Sequence, residues 1–166
     1  MKFRPTLFAA CAFGLLLVPS AAARTITLNW TEHTFAPDPP IVFKVRSVTL
    51  TGRQWTVRAS LSNRSDKRIQ VVRGTMQDTP PQYGFAILVP VPQCPRGVFC
   101  RPIANTATRS SPRLPTSLAP GQTWSGAFGG IAVLPKGYLL WISMGHFLVP
   151  GGPRDFSWVS QHAFRL

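Results

Sequence analysis

Hydrophobic positions along this chain recur mostly with a period of two. In Gln54-Trp-Thr-Val-Arg-Ala-Ser-Leu61, Trp55, Val57, Ala59 and Leu61 share one face and Gln54, Thr56, Arg58 and Ser60 share the other. That alternation predicts a strand with one side in a core and one in water. Residues 41–51 read the same way, and Gly52-Arg53 predicts a tight hairpin between the two strands. Asn63-Arg-Ser-Asp66 predicts a polar turn into a strand over 67–72. Further strands are expected over 26–30, 83–91, 122–128, 137–149 and 156–165. Pro80-Pro81, Ala119-Pro-Gly-Gln122, Leu134-Pro-Lys-Gly137 and Pro150-Gly-Gly-Pro153 supply turns between them. No segment from Thr25 onward carries a 3.6-residue period over three turns. The expected fold is all-β, an antiparallel β-sandwich of about seven to nine strands, with Trp55, Phe85, Trp124, Trp141 and Trp158 as candidate core aromatics.

The first 23 residues break this pattern. Lys2 and Arg4 precede an apolar stretch from Leu7 to Val18, a breaker at Pro19 and an Ala21-Ala-Ala23 end, which together predict a cleavable secretory signal too short for a stable membrane span. Residues 24–166 are then expected to form a single exported domain, periplasmic or extracellular. A competing reading takes Phe8-Ala-Ala-Cys11 as a lipoprotein box, with the chain lipid-anchored through Cys11. That reading leaves almost no apolar run before the cleavage point.

Charge narrows the function classes. Without the leader, sixteen basic residues face five acidic ones, a net charge of +11, and fourteen of the chain's 18 basic residues are Arg. Such a surface attracts anionic polymers and lipid headgroups. Nucleic acid is not the expected partner, because the Arg residues are scattered rather than striped with aromatics and an exported protein does not meet its genome. The five acids are Glu32, Asp38, Asp66, Asp78 and Asp155, with none from 79 to 154. Paired-carboxylate hydrolysis, calcium loops and magnesium sites all need acids close together, so these classes are disfavoured.

With Cys11 removed, Cys94 and Cys100 remain as an even pair and predict one structural disulfide closing Cys94-Pro-Arg-Gly-Val-Phe-Cys100. This ring lies in a Pro- and Arg-rich span, 92–116, that reads as one long loop. It contains Arg96, Arg101, Arg109 and Arg113 and no acid. Loops of such length in compact domains are functional or disordered, and a stapled, proline-stiffened backbone loses less entropy on binding. Arg96, Phe99, Arg101, Arg109 and Arg113 are therefore the candidate contact residues. The expected partner is an envelope protein or an anionic surface polymer or lipid. Insertion of Arg96 or Arg101 into the acidic pocket of an exported peptidase is the alternative.

Three segments carry a family likeness. Trp55-x-Val-x-Ala-x-Leu61-x-Asn63-x-Ser65, then Leu118-Ala-Pro-Gly-Gln122 leading into a Trp-containing strand, then Leu134-Pro-Lys-Gly-Tyr138-Leu resemble secreted bacterial immunoglobulin-like modules. Telokin-like accessory domains and an Ig-like proteinase-inhibitor family share this succession. The resemblance implies an Ig-like sandwich topology and transfers no functional residue. Asn63-Arg-Ser65 also matches a glycosylation pattern, and Asn63 is read as a turn former.

No catalytic set stands out. G-x-S-x-G is missing, and Gly126-Ala-Phe-Gly-Gly130 lacks the Lys-Ser/Thr and helix of a phosphate loop. The expectation is a non-catalytic module without cofactor. A weaker metal alternative rests on strand parity, which groups His146 with Leu140, Ile142, Met144 and Leu148 and brings His162 near them across a final hairpin. Met144, His146 and His162 would suit copper(I) if exposed together. The simpler reading has Met144 filling core while the imidazoles cap the sheet.

Overall fold

A computed structural model describes residues 22–33, 41–71, 84–98, 100–132, 134, 137, 139–148, 156–159 and 163–165. The predicted leader, including Cys11, lies outside them. The long alternating runs form long strands: β1 (Arg24–His33), β2 (Ile41–Thr51), β3 (Gln54–Asn63) and β9 (Thr123–Ile131). These pair antiparallel in the order β1-β2-β3-β9, and β7 (Arg109–Ser111) completes a five-stranded sheet beside β9. The β2–β3 hairpin turns at Gly52-Arg53, pairing Thr51 with Gln54. Trp55, Val57, Ala59 and Leu61 all point into the core.

The second sheet is built from shorter pieces: β4 (Ile69–Val71), β5 (Ala86–Val89), β6 (Ile103–Thr106), β8 (Ser117–Leu118), β10 (Leu139–Leu148), β11 (Phe156–Val159) and β12 (Phe164–Arg165). Its order is β6-β5-β10-β4-β8, with β11 and β12 also paired to β10. Buried side chains from both sheets make one cluster, including Phe43, Trp55 and Phe128 from the first and Ile87, Leu140 and Met144 from the second. Phe85 bridges them, its ring 5.3 Å from Phe128 and 6.5 Å from Phe147. Offset and edge contacts of this kind add to the area term of burial. The molecule is thus an all-β antiparallel sandwich.

The described residues form twelve strand segments rather than seven to nine, and the surplus lies in pieces of two to four residues. The span 92–116 is not one loop. It contains β6 and β7, and between them the chain changes sheets: the Ala107 amide donates to Phe85 O at 2.7 Å and the next amide, Thr108, to Gly129 O at 2.9 Å. Three- and four-residue strands show too few alternations to register as a period, and Arg and Pro dominate their surroundings.

Parity also fails within the long strands: register shifts fall between Thr27 and Trp30 of β1 and between Val45 and Ser47 of β2. In β10 the register shifts between Met144 and Phe147, around Gly145 at φ 79°. A Cβ on Gly145 would lie 1.9 Å from the Phe147 ring, so only glycine allows this bulge. The buried series Leu140, Ile142, Met144 therefore continues at Phe147, which packs 5.8 Å from Phe43. The two-residue rule that grouped His146 with Met144 does not extend past Gly145. Trp141 is half-buried rather than core, whereas Trp55, Phe85 and Trp124 are buried. The side chain of Trp158 lies outside what the structure describes.

Candidate functional site

The stapled ring caps the β5–β6 hairpin, whose strands pair from Ala86 with Thr106 to Val89 with Ile103. Two successive turns make the tip. In the first, Val91-Pro92-Gln93-Cys94, the Cys94 amide donates to Val91 O at 3.3 Å and Pro92 supplies the restricted φ of the second position. In the second, Pro95-Arg96-Gly97-Val98, the Val98 amide donates to Pro95 O at 3.2 Å while Gly97 sits at φ 81°. A positive φ at that third position defines a turn that favours glycine. Cys94 and Cys100 then close the ring with their Cα atoms 5.8 Å apart. The Val98 carbonyl also rests 3.1 Å from Cys94 Sγ, a sulfur with no proton to donate once oxidised.

This geometry leaves Arg96, inside the ring, and Arg101, next to Cys100, exposed to solvent. Two large apolar side chains of the same hairpin end are also exposed, Val98 in the ring at 56% and Ile103 at the start of β6 at 48%. Phe99 lies outside the described residues. The other two arginines of the candidate set are elsewhere. Arg109 is on β7 in the opposite sheet and donates to Gln54 Oε1 at 2.9 Å, and Arg113 is exposed just beyond β7. The sheet change at 107–108 separates them from the tip, so the tip holds two arginines, not four. Ile103 escaped the sequence reading because it opens a four-residue strand. Its place three residues beyond Cys100 was the available signal.

Two other expectations meet the structure here. Met144 is fully buried in the common core, out of reach of an exposed ligand set. The His146 side chain and His162 lie outside what is described. The glycine run in β9 gives clearance: a Cβ on Gly129 would stand 2.3 Å from Trp55 O on the neighbouring strand.

The N-x-S and L-x-P-G motifs meet in space. Asn63, fully buried, donates through Nδ2 to Lys67 O at 2.8 Å and Leu118 O at 3.0 Å, and its Oδ1 accepts from the Ser65 amide at 2.9 Å. Its backbone bonds both ways with the β8–β9 turn, accepting from Gly121 N and donating to Gln122 O. Asn63 therefore ties three segments together and is closed to modification at the surface. Comparison of the chain with protein-family models, curated proteins and solved structures finds no match. The functional reading therefore rests on the tip and the surface themselves.

Proposed function

We propose that the protein is an exported, non-catalytic accessory module of Ig-like type that rests on an anionic envelope surface through its stapled β5–β6 tip. The carrying observation is the covalently closed turn that exposes Arg96 and Val98, followed directly beyond Cys100 by exposed Arg101 and Ile103. Apolar groups beside cations suit a lipid interface, where the chains enter the headgroup boundary and the guanidinium groups meet phosphate. The leader and the disulfide support an oxidising compartment. Vesicle flotation tests the reading. Wild type is expected to float with phosphatidylglycerol vesicles, less so as salt rises, and Arg96→Gln/Arg101→Gln to lose about tenfold in affinity. Equal flotation of Val98→Asp and wild type would sink the proposal.

The alternative, inhibition of an exported peptidase, draws on the same closed turn, which presents Arg96 on a rigid backbone. Inhibition of a trypsin-like enzyme that Arg96→Ala abolishes, without vesicle binding, would replace the first reading.

A further inference from the structure

The solvent face of the five-stranded sheet has a different chemistry from the tip, and no part of the preceding reading uses it. Along β3 the outward positions are Gln54, Thr56, Arg58, Ser60 and Ser62, of which Ser60 is buried beneath its neighbours. Register carries the same character sideways. Arg58 lies between Ser47 of β2 and Ala127 of β9, and Ser60 lies between Lys44 and Ser125. Lys44, the bulge residue Arg46, Arg58 and Arg109 are all exposed on this sheet. Among the described residues no acid occupies an outward position: Glu32 pairs with the core residue Phe43, and Asp66 is in the turn after β3.

The hydroxyls are held by one another. Thr25 Oγ1 and Thr49 Oγ1 are 2.9 Å apart, and Ser62 Oγ and Thr123 Oγ1 are 2.8 Å apart. Each pair uses one of its two protons internally and leaves the other, with free lone pairs, toward solvent. Five strands at about 4.8 Å spacing make a platform roughly 19 Å wide. Among the described residues it carries no aromatic side chain and one large exposed apolar group, Ile131, at its margin.

We infer that this face binds a linear carboxylated polysaccharide. Guanidinium groups pair with carboxylates in a fixed fork, and fixed hydroxyls exchange hydrogen bonds with sugar hydroxyls. Single-stranded nucleic acid would call for stacking aromatics, which the described face lacks, and a lipid bilayer would call for apolar side chains across it. The inference is independent of the tip. Its failure and the failure of vesicle binding are read in separate assays.

The test is binding to immobilised polygalacturonate at about 0.15 M salt, where diffuse surface attraction is largely screened. Wild type is expected to bind, with Lys44→Gln/Arg58→Gln weakened about tenfold. The charge-matched Arg64→Gln/Lys67→Gln, in the exposed β3–β4 turn, is expected to stay within about twofold of wild type. Thr49→Val/Thr56→Val keeps shape, strand propensity and charge while removing two hydroxyls, and is expected to lose about threefold. Equal losses from the two charge variants, no binding by wild type, or binding of double-stranded DNA as tight as that of polygalacturonate would each overturn the inference.

Discussion

Two turn regions of this sandwich are fixed by opposite means. The turns after β3 and after β8 are tied to each other by one buried amide side chain, Asn63, whose donors and acceptor are all engaged. The β5–β6 tip is tied by a covalent bond and lies in solvent. A hydrogen-bonded hub is strong only where water cannot compete, so it must be buried, and burial removes it from any surface role. A disulfide holds its geometry in water. It therefore leaves its ring free to carry exposed arginines and apolar groups. The same contrast explains why the hub residues are structural and the tip is the contact candidate.

Removing the hub is expected to have the largest effect. Asn63→Ala leaves Leu118 O and the Ser65 amide without their partner in a buried region, while Lys67 O keeps its bond from Ser65 Oγ. At about 1–3 kcal/mol for each of these two unsatisfied buried groups, a loss of about 3 kcal/mol is expected, discounted for relaxation. Urea denaturation of the variant measures it. A loss below about 1 kcal/mol would mean that the three segments hold without Asn63 and would dissolve the contrast. Vesicle binding of the fraction still folded should match wild type.

How much of this was legible depended on the length of each element. In β3, ten residues of alternation determined face and hairpin, and every inward residue predicted for 54–61 is buried, whereas β2 carries a bulge at Arg46 that alternation did not show. In β6, β7 and β8 there are two to four residues, and tertiary pairing rather than local pattern makes the strand. The β10 bulge was hidden for a different reason. A parity count assumes one conformation per residue, and Gly145 at positive φ inserts a step the count does not contain. At the tip, cysteine number predicted the staple. The division of the arginines between sheets depended on a crossing at Ala107-Thr108, where neither residue type announces a change of partner. The hub was visible as two motifs, while their contact was not.

Removing the staple is expected to cost less than removing the hub. For a ring of this size the chain-entropy model gives about 2 kcal/mol, and Cys94→Ser/Cys100→Ser should lose no more than that with an unchanged denaturant slope. The effect on contact should exceed the effect on folding. A freed tip must be ordered on each encounter, so vesicle affinity should fall several-fold while the core, and near-UV circular dichroism from Trp55 and Trp124, stay as they are. Undiminished vesicle affinity would show that the staple protects the tip without shaping its contact.

The smallest change sharpens the comparison within the tip itself. Gly97 and Gly145 have nearly the same φ, 81° and 79°, but a Cβ on Gly97 meets nothing within 4 Å while one on Gly145 strikes Phe147. Gly97→Ala therefore carries only the backbone cost of a left-handed alanine, about 1 kcal/mol, with no packing to disturb. The disulfide prevents the turn from escaping to another conformation, so the strain should remain in the ring. In the variant lacking both cysteines the turn can relax and the same substitution should cost about half as much. A double-mutant cycle by urea denaturation measures the difference. Equal costs with and without the staple would mean that Arg96 is held by the turn alone, and the covalent bond would lose its role in presenting it.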